Sequence, residues 1–516
     1  MFDLFDLRLA LEAIWTEDRS RPTYRPPRSD RIVKSKTVFV FLAVLTLLRC
    51  VWLSLQSIAP QEAYYWMCSD RLASAFFDGP PGTALLIHVL GLLTGDALNL
   101  IRLAWPVLGF AVAWCTWLLA RALFDEVVGG WVVVALNALP IFNEACVTMG
   151  PLLPTLFLTL AAALAVAHSR EHIGVAWYFA AAFLALAALF RYEAVLFSFG
   201  LCYYIRRPIL EKERRALIAF AGLLLLPLMI LLAPLSWNAA LGWVPIAGGT
   251  FQTLWLPRFP SWGLGFSEFF RLFSFGMGAV ILCGFVGLFR SSKKCDEYEF
   301  LFCFCGPISL WALYSFYSGG NITTALSLAF VPILIFIASQ GTHRRFMPIA
   351  GSTVVALAIC SSAIMLRQSG VMRGMWAAIA SEINIASRDM PASEGGGFMV
   401  AENADQASIL AVYFKSRLKT TYPPVFVAES PAISSQFALW PSYADFIESD
   451  KSVDEFFTEQ KGINPFMGGN ALFVGSELPQ TIRGAFADVR SLRQIQLPDG
   501  GQLTVFLCLD YQTLPL

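Results

Sequence analysis

Charge is scarce in this chain. Lys, Arg, Asp and Glu make up 14% of its 516 residues, against about a quarter in an ordinary soluble domain, and the two signs cancel at 37 each. No basic excess is left to track a phosphodiester backbone, so nucleic-acid binding is set aside. Cysteine pairs at metal-ligand spacing are lacking too. The eleven cysteines are scattered, and most, such as Cys50, Cys115, Cys202 and Cys283, lie in apolar runs and read as small hydrophobes. No repeat with a period of about 20–50 residues is evident, which gives a solenoid or an inverted-repeat transporter no support. What the chain has is apolar side chains, 57% of the total, with a mean hydropathy of +0.61. Such an excess needs a lipid phase, and the chain reads as a polytopic α-helical membrane protein.

Runs long enough to span a bilayer, about 17–25 mostly apolar residues, occur at 37–56, 100–120, 128–147, 152–168, 174–190, 216–235, 272–290, 299–317, 322–340 and 346–366, with 194–206 a weaker candidate. The run 83–95 is short, follows Pro80-Pro81 and is placed along the interface. With that choice the basic loops, above all Arg206, Arg207, Lys212, Arg214 and Arg215, fall on one side, as the excess of Lys and Arg in cytoplasmic loops requires. The reading is therefore about eleven transmembrane helices in the cytoplasmic membrane. Residues 1–36 form a cytoplasmic tail, 37–366 the membrane domain with a first exterior loop at 57–99, and 367–516 an extracytoplasmic domain. In that last domain the composition turns soluble. Strands are expected at Gly397–Glu402, Val425–Glu429, Ala471–Gly475 and Leu503–Leu509, with an amphipathic helix at Asp405–Leu418, making a small α/β module packed over the exterior loops.

The unusual residues collect on the exterior side. The first loop reads Pro60-Gln61-Glu62-Ala63-Tyr64-Tyr65-Trp66, then Phe76-Phe77-Asp78-Gly79-Pro80-Pro81. Carboxylates among aromatics are partly desolvated, which raises their pKa and suits them to accept a proton near neutral pH. The blander reading is a solvated loop with an aromatic belt. Arg191, in Arg191-Tyr192-Glu193, offers a guanidinium that could hold a phosphate bidentately, or simply snorkel beside Glu193. Asn143 and Glu144 lie near the outer end of 128–147, as site residues or as a helix cap. His88 stands alone and reads as structural.

Glu62-Ala-Tyr-Tyr-Trp66 followed by Phe77-Asp-Gly-Pro-Pro81 closely resembles the first exterior loop of GT-C glycosyltransferases of the bacterial protein-mannosyltransferase-like family, relatives of the lipid A aminoarabinose transferase. Arg191-Tyr192 with Ala194-Val195-Leu196 resembles that family's Lys-Tyr-Thr-Ala-Val-Leu. Trp237-Asn238-Ala239, Gly242-Trp243 and Phe251-Gln252 resemble a further run, and Gly469 to Val474 a strand of the C-terminal domain in some members. The resemblance implies a GT-C fold and transfer of a sugar, with inversion, from a polyprenyl-phosphate donor to a glycan, lipid or protein hydroxyl on the outer face of the membrane. It also implies an acidic base in the first loop. Glu62 is expected as that base, with Asp78 as its alternate or as an acceptor-orienting group, and Gln61, Tyr64, Tyr65, Arg191 and Glu144 as substrate-binding residues.

The departures are specific. The family's Asp-Glu pair is Gln61-Glu62 here, its Thr-Pro-Asp is Gly150-Pro151-Leu152, and the His before Pro-Pro is Gly79. Relatives can hold a divalent metal at the position of Asp78, but no partner His is identifiable, so a divalent metal stays open without support from the sequence and no other cofactor is indicated. Two other readings compete: a relative that binds a lipid-linked glycan without catalysis, and a transporter, which would need charges at the membrane midplane.

Overall fold

The computed structural model describes residues 35–169, 173–244, 273–317, 322–341, 347–393, 397–417, 424–428, 435–440, 442–443, 466–497 and 501–512. The expected tail before residue 35 and the Phe251-Gln252 motif lie outside them. Helices α1 (Ser35–Ser54), α2 (Pro60–Asp70), α3 (Gly82–Thr94), α4 (Leu98–Arg102), α5 (Ala104–Leu123), α6 (Glu126–Ala138), α7 (Pro140–Cys146), α8 (Leu152–His168) and α9 (Val175–Ala188) come first. After a 3-10 turn at Tyr192–Ala194 follow α10 (Val195–Tyr204), α11 (Arg206–Leu210), α12 (Arg214–Ala240), α13 (Phe275–Ser291), α14 (Asp296–Tyr317), α15 (Ile322–Gly341) and α16 (Met347–Arg388).

Helix pairs α8–α9, α9–α12, α14–α15, α5–α8, α5–α6 and α10–α14 pack closely. Trp105, Trp117, Trp177, Phe142 and Phe197 are buried between them. Leu47, Leu48, Leu92, Leu93 and Met229 point outward, each more than half exposed. An outward apolar shell around a packed interior is what lipid, rather than water, favours.

By length and composition, four described helices are able to cross a bilayer, or up to five if one bent pair counts as a single span. Several of the runs read as spans are shorter helices of 10–17 residues, including Leu152–His168 and Val175–Ala188. The run 128–147 is not one straight span. It breaks between α6 and α7 with a 74° bend, because Pro140 has no N–H for the helix ladder and its ring excludes the preceding turn. Asn143 holds that break together. Its side-chain amide donates to the carbonyls of Asn137 (2.8 Å) and Leu139 (3.0 Å), and its Oδ1 accepts from Arg49 at 2.6 Å. Asn143 is thus occupied in joining α7 to α1.

The expected boundary at residue 367 falls inside α16, which runs unbroken for 42 residues. At about 1.5 Å per residue it is about 63 Å long, roughly twice a hydrocarbon core of about 30 Å. Its far end carries the C-terminal domain, built from β1 (Gly397–Ala401), α17 (Ala404–Arg417), β2 (Val425–Val427), β3 (Asn470–Gly475), α18 (Gln480–Ala485), β4 (Phe486–Gln496) and β5 (Gln502–Tyr511). The strands form one sheet in the order β2-β1-β3-β5-β4, parallel among β2, β1 and β3 and antiparallel for β5 and β4.

Alternation along the strands sorts the side chains to two faces. Phe398, Val400, Ala471 and Phe473 join an aromatic cluster with Tyr443, Phe486 and Tyr511. Met399, Ala401, Leu472 and Val474 pack on Ile379, Ile383 and Ala386 of α16 and on Leu410 and Phe414 of α17. Tyr64 and Met67 of α2 pack against this second cluster, and α17 lies along α2.

Candidate active site

The first loop is not irregular. Its first part is α2, started by Pro60, whose missing N–H costs nothing at that position. The Glu62 carboxylate reaches back to the Ala59 amide at 2.9 Å, as a residue in the third helical position does in a capping box.

That contact is one of several. Glu62 is fully buried, and its Oε1 accepts from Arg102 Nε and from the Met149 amide, both at 3.3 Å. Its Oε2 accepts from Arg102 Nη2 at 3.3 Å and from Arg373 Nη1. A carboxylate offers about four lone-pair sites, and these donors occupy them. Arg373, itself buried on α16, also donates to the carbonyls of Ser57 and Val147 and to Thr148 Oγ1. Arg102 donates to the carbonyls of Gln56 and Ser57. Glu62 therefore ties α2, α4, α16 and the segment after α7 into one joint. All of its lone pairs are engaged in holding that joint, whereas the other expected carboxylate, Asp78, lies outside it.

Asp78 is placed differently. It sits exposed at the tip of a tight turn closed by two backbone hydrogen bonds, Phe76 N–H to Gly79 C=O (2.9 Å) and Gly79 N–H to Phe76 C=O (3.2 Å). Gly79 has φ +152°, which a side chain would strain, and Phe76 and Phe77 are buried on either side of the strand-like start of the turn. Beyond Pro80-Pro81 the Gly82 amide donates to the Leu189 carbonyl at 2.6 Å. A Cβ on Gly82 would lie 2.4 Å from that same oxygen, so only glycine fits. The turn is thereby fastened to the end of α9, two residues before Arg191.

Tyr65 shows what these pieces bring together. Burial pushes its phenol well up; the Asp78 charge adds to this, while the Arg191 guanidinium and a hydrogen bond with Gln61 oppose it. Gln61, Tyr65, Asp78 and Arg191 thus share one electrostatic neighbourhood. The Asp78 carboxyl is itself raised above the usual carboxylate range by desolvation, against the pull of the Tyr64 hydroxyl, and Asp405 of α17 raises it further.

Arg191 donates to Ser327 Oγ (3.1 Å) and, more loosely, to Glu193 (3.3 Å). Asn238, from the Trp237-Asn238-Ala239 stretch, lies within hydrogen-bonding reach of Tyr192. Gly150 lies beside the Gln61 amide, 3.6 Å from its Nε2 to an ideal Cβ. So two of the three departures from the resemblance, at Gln61 and at Gly150, are neighbours in space. Glu144 is half-buried on α7, the helix that Asn143 secures.

Among the described residues, no three His, Cys, Asp or Glu side chains converge as metal ligands. His88 directs Nδ1 at the Ser69 carbonyl, 3.0 Å away. Cys68 and Cys508 are both free thiols.

Residues 78–237 match the family model described as dolichyl-phosphate-mannose-protein mannosyltransferase. No curated protein matches the chain by sequence. The crystal structure of ArnT from Cupriavidus metallidurans in the apo state superposes on 92% of this chain and 98% of its own, with a TM-score of 0.58 at 11% identity. The chain has the GT-C fold of that enzyme, and its segment 78–237 is similar to the mannosyltransferase family. The undecaprenyl-phosphate-bound structure of the same ArnT matches this chain with the same coverage, identity and TM-score. The archaeal oligosaccharyltransferase AglB from Archaeoglobus fulgidus, in complex with an inhibitory peptide and a dolichol-phosphate, is 9% identical, covers 73% of this chain and 63% of its own, and has a TM-score of 0.44.

The residues of the candidate site that sequence reasoning missed are Arg102, Arg373, Gly82 and Gln436. Arg102 carried a readable signal, a charge inside the expected span 100–120.

Proposed function

We propose that the chain transfers a sugar from a polyprenyl-phosphate donor to an acceptor hydroxyl on the outer face of the cytoplasmic membrane. The observation that carries this is the meeting of Asp78, Arg191 and Gln61 around Tyr65, in a chain of GT-C fold. In the reaction the acceptor oxygen attacks the anomeric carbon from the face opposite the phosphate. The carbon–oxygen bond to phosphate breaks with its electron pair on the leaving polyprenyl phosphate, and the configuration inverts. Asp78 takes the acceptor proton, for which a raised pKa suits it. Arg191 stabilises the charge growing on the leaving phosphate.

Arg191→Ala should weaken binding of undecaprenyl phosphate to the purified protein by about tenfold or more, the scale of one charge-assisted contact. Unchanged affinity would remove Arg191 from the donor site. The general test is a mass-spectrometric comparison of membrane glycolipids and glycans with and without the gene.

A second reading has a specific observation behind it. Of the family's acidic pair, one position is the amide Gln61 and the other, Glu62, is enclosed by two arginines. A chain so altered would bind a lipid-linked glycan without turning it over. Gln61→Asp separates the two readings. Activity that appears only in this variant identifies a binding protein, whereas wild-type activity identifies an enzyme.

The sidedness belongs to the same proposal, with the N-terminus cytoplasmic and the C-terminal domain outside. It is supported by the basic loops falling together. An alkaline phosphatase reporter fused after residue 516 should be active, and a reporter fused before α1 inactive; the reverse pattern would move the site to the cytoplasmic face.

A further inference from the structure

The turn that presents Asp78 has an amide its own backbone does not satisfy. Its two internal hydrogen bonds use the N–H groups of Phe76 and Gly79. The Phe77 N–H, buried and adjacent to Asp78, donates instead to Oε1 of Gln436 at 2.7 Å, across 359 residues of sequence. Gln436 is 2% exposed and begins the 3-10 turn Gln436–Leu439 of the C-terminal domain. The same turn ends at Trp440, which packs on the small cluster of Cys68, Phe76 and Ala84 beneath the Asp78 turn. The guanidinium of Arg71 lies over the Trp440 ring, 4.8 Å from its centroid.

We infer that Gln436 is a positioning residue for the transfer reaction: the C-terminal domain holds the backbone of the Phe77–Asp78 turn through one buried hydrogen bond and so fixes where the Asp78 carboxylate meets the acceptor. This rests on the reading of Asp78 as the base. The physical reason is the asymmetry of a buried donor. Left unpaired, the Phe77 N–H carries its whole desolvation penalty, so the turn would rotate to expose it and take the neighbouring carboxylate with it. A reacting group displaced by about 1 Å can lose roughly a hundredfold in rate. The choice of side chain follows too. An acceptor is needed and a donor is not, so Glu at 436 would serve where Met, of similar length and without an acceptor, would not.

The test uses full-length protein in detergent or nanodiscs. Hydrogen exchange is followed in a peptide spanning residues 72–82, alongside the thermal midpoint and the glycan or glycolipid product in cells. Gln436→Met should speed exchange at the turn and lower product at least tenfold while the rest of the chain keeps its protection. Gln436→Glu should restore both. Arg71→Ala, at an exposed position, loosens the same contact without burying anything, and should speed exchange in the same peptide even if Gln436→Met fails to fold. Unchanged exchange at 72–82 in Gln436→Met, or in Arg71→Ala where Gln436→Met cannot be made, would overturn the inference. So would faster exchange with undiminished product. A wild-type chain that makes no product at all defeats the transferase reading, whereas the exchange measurement alone decides whether Gln436 holds the turn.

Discussion

Glu62→Gln is expected to unfold the chain rather than to slow its chemistry. The wild-type joint sets one buried carboxylate against two buried guanidiniums, those of Arg102 and Arg373. The substitution leaves two like charges facing each other with no anion between them, and turns an amide N–H₂ toward donors. Breaking a buried pair by removing one partner costs about 3–5 kcal/mol, a large share of the roughly 5–15 kcal/mol that holds an ordinary domain together. The measurement is the thermal midpoint and the yield of folded protein in detergent. A midpoint equal to wild type, combined with lost turnover and retained donor binding, would return Glu62 to the role of base.

Asp78→Asn is expected to do the opposite, keeping the fold and losing the reaction. The turn is held by backbone bonds, by Gly79 and by the Gly82 contact, none of which uses the carboxylate. Loss of a general base costs about a hundredfold to ten-thousandfold in rate, and binding of undecaprenyl phosphate should persist. The pH dependence has a definite sign. Desolvation and the Asp405 charge raise the Asp78 carboxyl, against the Tyr64 hydroxyl, so its protonated, inactive form survives to higher pH than an ordinary Asp near about 3.9. Wild-type turnover should therefore fall on acidification at a pH above that value, and Asp405→Asn should move the fall toward lower pH. Undiminished transfer by Asp78→Asn would exclude it as the base.

Much of this was legible from residues alone. The apolar runs locate most of the helices, and the short continuous apolar runs at Gly397–Ala401 and Asn470–Gly475 identify the central strands, which are buried on both faces. β4 was missed because it is an edge strand: Phe486–Gln496 is half-exposed and carries Arg490, Arg493 and Gln494, so its hydrophobic alternation is weak. The helix α2 is hard to recognise because its apolar and polar residues do not make a long stripe, although Pro60 with an acid two residues later is a start signal. In the site, the aromatic-flanked carboxylates and Arg191 stood out, but proximity in sequence could not separate Glu62 from Asp78. That distinction depends on Arg102 and Arg373, one 40 and the other 311 residues away from Glu62. Gln436 had no signal at all, since a single amide in a loop is unremarkable until the chain is folded.

The unbroken course of α16 bears on how an acceptor arrives. One end of this helix lies among the membrane helices, its middle contributes Arg373 to the Glu62 joint, and its last turns form the floor of the C-terminal sheet through Ile379, Ile383 and Ala386. With no hinge along those 42 residues, the domain cannot swing away from the first loop as a cover would. On the proposed reading of the site, an acceptor would approach the Asp78 neighbourhood alongside a domain seated on α16 rather than beneath a cover that opens.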